Sequence, residues 1–124
     1  MNSLTQLSSS IAWFRLHESA IKNEQERTLL NYKLLMHSCR SYGFRKQILG
    51  DLYLSFDQKE LAQEQYFDSY RLYMEISDFF HAAKILILMK KYGFEISSKR
   101  PSLLSELKKE KKKYILFIEE LESN

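Results

Sequence analysis

Residues 49–69 read LGDLYLSFDQKELAQEQYFDS, and their punctuation decides the fold. Gly50 stands among Leu49, Leu52 and Leu54, residues that favour helix, and a glycine inside a helix costs about 1 kcal/mol relative to alanine. A glycine in that setting calls for a neighbour too close to leave room for a Cβ. Ala62 and Ser69 are small as well, so two antiparallel helices joined near Asp57 can approach at Gly50, Ala62 and Ser69 while Tyr53 and Tyr66 fill the volume beside the contact. Asp57 with Glu60 has the spacing in which a capping side chain and an acid three residues on satisfy the free amides that open a helix. The stretch predicts a helical hairpin.

The same signals extend outward in both directions. Ser9 or Ser10 can open a helix that runs to about Ile21, with Ile11, Trp13, Phe14, Leu16 and Ala20 at helical spacing. Asn23 and Glu26 repeat the cap-plus-acid spacing and start a second helix to about Arg40, which Gly43 ends by taking a left-handed backbone. A third helix spans about Phe44 to Phe56 and a fourth continues to about Ile76. Asp78 caps a fifth, which Gly93 stops near Tyr92. After a polar loop, 95–100, Pro101 suits the first turn of a sixth helix over 101–122. The apolar stripe of that helix fails around Glu110 and Lys111, so its ends are expected to pack while its lysine-rich centre is solvated.

Composition narrows the function classes. The chain of 124 residues has room for one domain, 1–124, and its 44% apolar and 28% charged residues fit a soluble globular protein. Three glycines and one proline leave a strong helical prior. The net charge of +3 is too small for an electrostatic footprint on nucleic acid. One local basic patch exists, in which Lys108, Lys109, Lys111, Lys112 and Lys113 surround a single Glu110. A solvated helix face is its plainest reading, against a contact with phosphate or an acidic partner. Cys39 is the one cysteine, which excludes an internal disulfide and suits a reducing, cytoplasmic setting. The polar run from Met1 to Ser10 lacks the basic start and apolar core of a signal peptide, and Ile85 to Met89 is too short to span a bilayer.

Leu49, Gly50, Tyr53, Ala62 and Tyr66, with Ser69 as a small-for-small variant, resemble the tetratricopeptide (TPR) repeat, and residues 43–76 match its length of about 34. Lys46 stands where that family often has tryptophan, Asp57 where it has glycine, and no proline closes the repeat. An offset of 33 residues carries Leu16 onto Leu49, Ala20 onto Tyr53 and Leu29 onto Ala62. Phe79 to Tyr92 is similar to the first helix of a further repeat, so the resemblance covers about two and a half repeats over 9–92. It implies an all-α fold, antiparallel hairpins stacked as a short TPR-like solenoid, with the C-terminal helix capping the stack. A generic helical bundle is the competing reading, and it is equally all-α.

What the resemblance implies about function is a concave groove for a partner polypeptide, lined by the first helix of each pair. Mapping the family's groove positions picks Phe14, Glu18 and Ile21 in the first repeat. In the second it picks Phe44, Gln47, Asp51, Leu54 and Ser55, and in the third His81, Ile85 and Leu88. Asp51 would repel a carboxylate, which disfavours a clamp on a partner's C-terminus. An apolar or amphipathic segment suits better. The expectation is a non-catalytic adaptor or chaperone-like module, with a structural subunit of a larger assembly, or weak nucleic-acid binding through the lysines, as alternatives. His17, His37 and His81 are scattered, His37 and Cys39 are spaced for different faces of a helix, and no phosphate-cradling loop or nucleophile elbow occurs. No catalytic residue, metal or cofactor is implied.

Overall fold

A left-handed residue ends four of the helices in the computed structural model, which describes residues 3–123 and the side chains of 11–123. Asn23, Asp57 and Ser77 have φ of 58°, 59° and 57°, and Gly93 has 84°. The following amide in each case reaches back into the helix just finished, Glu24 to the Ser19 carbonyl at 3.0 Å, and Gln58 to Tyr53, Asp78 to Tyr73 and Phe94 to Met89 at 2.9 Å. This Schellman pairing satisfies carbonyls that a helix end leaves free, and glycine and short polar residues enter the left-handed region at least cost. The backbone device therefore recurs at Asn23 and Asp57, 34 residues apart.

Among the described residues the chain is all helical, in the order α1 (Ser3–Ile21), α2 (Gln25–Met36), α3 (Tyr42–Ser55), α4 (Lys59–Glu75), α5 (Phe79–Lys91), α6 (Arg100–Lys108) and α7 (Ile115–Glu122). Successive helices pack as antiparallel hairpins in a repeat-like stack, α1 on α2, α3 on α4 and α4 on α5, with α6 and α7 both packed on α5. Asp78 caps α5 as its spacing implies, accepting from the His81 amide at 3.1 Å, and Pro101 lies in the first turn of α6.

Several boundaries differ from the sequence expectation for identifiable reasons. α1 begins at Ser3, ahead of Ser9 and Ser10, whose side chains lie outside the described ones. Asn23 and Asp57 close the helix before them rather than cap the one after, and Glu24 and Gln58 occupy the cap positions without a side-chain bond. Gly43 does not end α2, which stops at Met36. It is buried inside α3, whose start is capped by Ser41 accepting from the Phe44 amide at 3.3 Å. The loop 95–100 is anchored by Ile96, which is buried. The single helix over 101–122 is two helices. Lys108 and Lys112, and Lys109 and Lys113, would be like-charge neighbours one helical turn apart, and no apolar residue between Leu107 and Tyr114 can hold that stretch on the core. The backbone there forms hydrogen-bonded turns instead, and Leu103, Leu107, Tyr114, Ile118 and Leu121 pack on either side of them.

The tightest helix pair is α3 with α4, and two glycines make it so. The helices run antiparallel, so Gly50 meets Tyr66 and, seven residues back along α3, Gly43 meets Tyr73, seven residues on along α4. A Cβ on Gly50 would lie 2.8 Å from the Tyr66 ring, and one on Gly43 would lie 2.6 Å from the Tyr73 ring. Each ring is backed on its other side. Tyr66 is fully buried with Tyr92 and Phe94 at 6.2 and 6.1 Å between ring centroids, and Tyr73 carries the His81 imidazole stacked at 5.1 Å. Ser69 adds a buried hydrogen bond to the Gly43 carbonyl at 2.7 Å, which an alanine there would lose.

The principal core lies on the C-terminal side of this contact. It joins Ala62, Tyr66, Tyr70 and Tyr73 of α4 to Ala82, Ala83, Ile85, Leu86 and Met89 of α5, and continues through Ile96 into the apolar faces of α6 and α7. Among the described side chains the α1–α2 hairpin contributes nothing to that cluster. It buries Leu16, Ser19, Thr28 and Met36 and attaches largely through polar bonds: Tyr32 Oη donates to the Arg45 carbonyl at 2.8 Å, and Gln25 and Gln58 exchange amide bonds at 3.0 and 3.2 Å. Thr28, wholly buried, sits 34 residues before Ala62, and Tyr32 sits 34 before Tyr66, so the internal register is 34 rather than 33.

Gly50→Ala tests the close approach. The added methyl overpacks the Tyr66 ring at a cost of about 1–3 kcal/mol, and alanine's better helix propensity returns about 1 kcal/mol. The expected outcome is a lower urea midpoint at unchanged slope, and a variant as stable as the parent would show that the ring has room to move.

Candidate functional site

A cleft lined in part by aromatic rings opens where the first turns of α3 and α5 flank the end of α4. It measures about 680 Å³ and is lined by Arg40, Ser41, Phe44, Gln47, Tyr73, Ile76, Asp78, His81 and Lys84. Its floor follows from the glycine contact. Because Gly43 lets the Tyr73 ring sink between α3 and α4, the outer face of that ring is free to support His81, and the two stack with only 20° between their planes. Asp78 fixes the imidazole, with its carboxylate 2.8 Å from Nδ1, while also capping α5. Burial raises the Tyr73 phenol above its ordinary range, opposed in part by a hydrogen bond with Ser41.

The walls are apolar and the rim is mixed. Trp13 of α1 meets Phe44 edge-on at 6.3 Å, which carries the aromatic wall beyond α3. Ile76 is exposed beside the cleft. Arg40 and Lys84 place positive charge at the rim, and Gln47 offers an amide that can both donate and accept. Such a site can take an apolar side chain against rings of fixed orientation and hydrogen-bond the backbone beside it.

Of the residues picked from the sequence, the structure brings Phe44, Gln47 and His81 together in this cleft. Ile85 is a correction, since it is 1% exposed and belongs to the core between α4, α6 and α7. Leu54 and Leu88 are half-buried and pack against the same core, so each offers only an edge. Asp51 does not face a partner freely, because its carboxylate accepts a short hydrogen bond from the Tyr66 hydroxyl. Ser55 is exposed, and its hydroxyl donates to the Leu52 carbonyl of its own helix at 2.6 Å. Phe14, 63% exposed, and Glu18, paired with Lys22 at 3.8 Å, lie with Ile11 and Ile21 on the outward side of α1, away from Leu16 and Ser19. Trp13, not Phe14, reaches Phe44.

Tyr73, Ile76, Arg40 and Lys84 went unnoticed in the sequence. The available signal was the pair of sevenfold spacings, Gly43 to Gly50 and Tyr66 to Tyr73, which places Tyr73 in the same relation to α3 as Tyr66. Lys108, Lys109, Lys111, Lys112 and Lys113 lie at the far side of α5, in and beside the turn between α6 and α7, and are all exposed. His17 and His37 are exposed and Cys39 is half-buried. Among the described residues no three or more His, Cys, Asp and Glu side chains are grouped to hold a metal ion, and no helix is long and apolar enough to cross a membrane.

Comparison of the chain with models of known protein families, with curated proteins and with solved structures finds no significant match.

Burial raises the Asp51 carboxyl above its ordinary value, the Tyr66 hydrogen bond opposing that rise, and burial together with Asp51 pushes the Tyr66 phenol far upward. A carboxyl with a raised folded pKa contributes stability below its unfolded value, about 3.9, and that contribution is lost as pH rises through the folded value. Asp51→Asn keeps an acceptor for Tyr66 but does not titrate. Its stability relative to the parent should therefore increase from about pH 4 toward neutrality, followed by chemical denaturation across pH. A difference that stays flat with pH would show that the carboxyl is not held in a desolvated place.

Proposed function

We propose that this chain is a non-catalytic protein–protein interaction module of TPR-like character, a small adaptor or chaperone-like protein that holds a segment of a partner polypeptide. The observation that carries this reading is the cleft in which Phe44, Tyr73, Ile76 and His81 present apolar and aromatic surface beside Gln47. Stacked hairpins supply such surfaces because the first helix of each pair faces the same side, and here α3 and α5 do so. A cytoplasmic setting suits the single Cys39.

Magnitudes indicate how such a partner would bind. Burying one large apolar side chain contributes about 1.5–3 kcal/mol, whereas micromolar affinity corresponds to about 8 kcal/mol after the cost of ordering both chains. One anchor in the cleft is therefore too little. A partner must carry several apolar side chains, one over Tyr73 and Ile76 and others toward Trp13 and the outward face of α1. An amphipathic helix or an extended segment with spaced apolar residues meets that requirement.

Selection from a displayed peptide library against the full chain tests this reading. Retained peptides should be rich in apolar residues, and Phe44→Asp should weaken them roughly tenfold or more without loss of helical circular dichroism. Undiminished binding by both Phe44→Asp and Lys84→Glu would remove the cleft from consideration.

A further inference from the structure

A second concave surface lies on the other side of α5 and shares only Lys84 with the surroundings of the first cleft. Phe80 in the first turn of α5 meets Phe117 of α7 at 5.4 Å, and Phe117 stacks with Tyr114 at 6.3 Å and 17°. Together with Ile115, Leu116, Lys112 and Lys113 these rings line a depression of about 380 Å³. Its apolar walls are open to solvent, with Phe80 44% and Leu116 76% exposed.

Lys112 and Lys113 belong to the lining of this depression, and Lys84 borders its Phe80 wall. Lys84 Nζ stands 5.3 Å above the Phe80 ring and Lys113 Nζ stands 5.1 Å above the Tyr114 ring. Lys108 pairs with Glu122 at 2.7 Å, Lys109 with Glu106 at 3.1 Å and Lys113 with Glu110 at 4.0 Å, all at the surface. Lys84, Lys111 and Lys112 have no acidic partner within 4 Å among the described residues. Exposed ion pairs of this kind contribute little and exchange readily for a better acceptor. The turn thus keeps uncompensated positive charge beside exposed rings, at the cost of a continuous helix over 101–122.

We propose that this lysine-bordered pocket between α5 and α7 docks an acidic peptide segment that inserts one apolar side chain between Phe80, Leu116 and Phe117 while its carboxylates meet Lys111, Lys112 and Lys84. Charge complementarity fixes the sign of the partner, and concavity fixes its kind. A depression accepts a side chain, whereas a lipid surface would leave it empty. Bases stacked on the exposed rings are the competing occupant, which the oligonucleotide arm of the test separates from a peptide.

Fluorescence anisotropy on the full chain tests the assignment, with pooled labelled peptides that carry glutamates on both flanks of a central Phe, Leu, Ile or Met. Binding is expected that weakens on adding salt, falls roughly tenfold or more in Lys111→Glu with Lys112→Glu and in Leu116→Ser, and is unchanged in Phe44→Asp. Lys111, Lys112 and Leu116 are exposed, so their variants keep the parent's circular dichroism. Glutamine in place of the flanking glutamates, or alanine at the centre, should abolish the signal. Equal binding by the lysine variant, equal binding of the glutamine peptides, or absence of binding would overturn the proposal. Capture of phosphatidylserine vesicles or of a single-stranded oligonucleotide without capture of the peptides would overturn it as well.

Discussion

The ring of Tyr66 lies where a side chain on residue 50 would have to be, and the ring of Tyr73 stands in the same relation to residue 43. Everything distinctive about the molecule follows from that pair of contacts. They bring α3 and α4 closer than ordinary side chains permit, and each ring then presents its other face to the next layer. Tyr66 passes the contact on to Tyr92 and Phe94 at the end of α5, and Tyr73 passes it on to His81 at the start of α5. α5 is thereby located at both ends by tyrosines that two glycines admit. Because α6 and α7 pack on α5, the C-terminal half inherits its placement from α3 and α4.

Both candidate surfaces are consequences of how α5 is held. His81 turns toward α3 and completes a cleft whose floor is Tyr73, while Phe80, one residue away, turns toward α7 and forms the wall of the lysine-bordered pocket, with Lys84 standing between the two. Lys90 secures the other end, donating from Nζ to the Ser123 carbonyl and hydroxyl at 2.7 Å, where a cation suits the end of α7. The two surfaces differ in chemistry. The first has a hydrogen-bonding Gln47 and the Asp78–His81 pair beside its rings, whereas the second has Lys112 and Lys113 in its lining and no acidic side chain there. Two partners, or two parts of one, would be read by different features.

The hairpin architecture was legible in the sequence because several of its signals are local. Gly50 within leucines, Asp78 ahead of an apolar run, Gly93 after it and Pro101 each act within a turn or two. The misread positions are those where one residue type serves two physical roles. A glycine near a helix boundary can supply a left-handed backbone or admit a neighbour, and only the tertiary contact with Tyr73 shows that Gly43 does the second. Asn and Asp can cap the helix that follows or close the one before, and at Asn23 and Asp57 the backbone took the latter course. Ile85 was misplaced because α5 is enclosed by α4, α6 and α7, and periodicity cannot say which apolar residue of a nearly enclosed helix stays at the surface. The break at Lys109 to Tyr114 was half legible, since the missing apolar stripe was visible but its effect on the backbone was not.

A thermodynamic cycle between residues 50 and 66 puts the central contact to its most direct test. Stabilities of the parent, Gly50→Ala, Tyr66→Leu and the double variant are measured by urea denaturation. Competition for one space implies that the alanine methyl is harmful beside the tyrosine ring but tolerated or favourable beside leucine, giving a coupling of at least about 1 kcal/mol. Additive effects within about 0.5 kcal/mol would contradict it, because they would mean that the glycine and the ring do not compete for the same space.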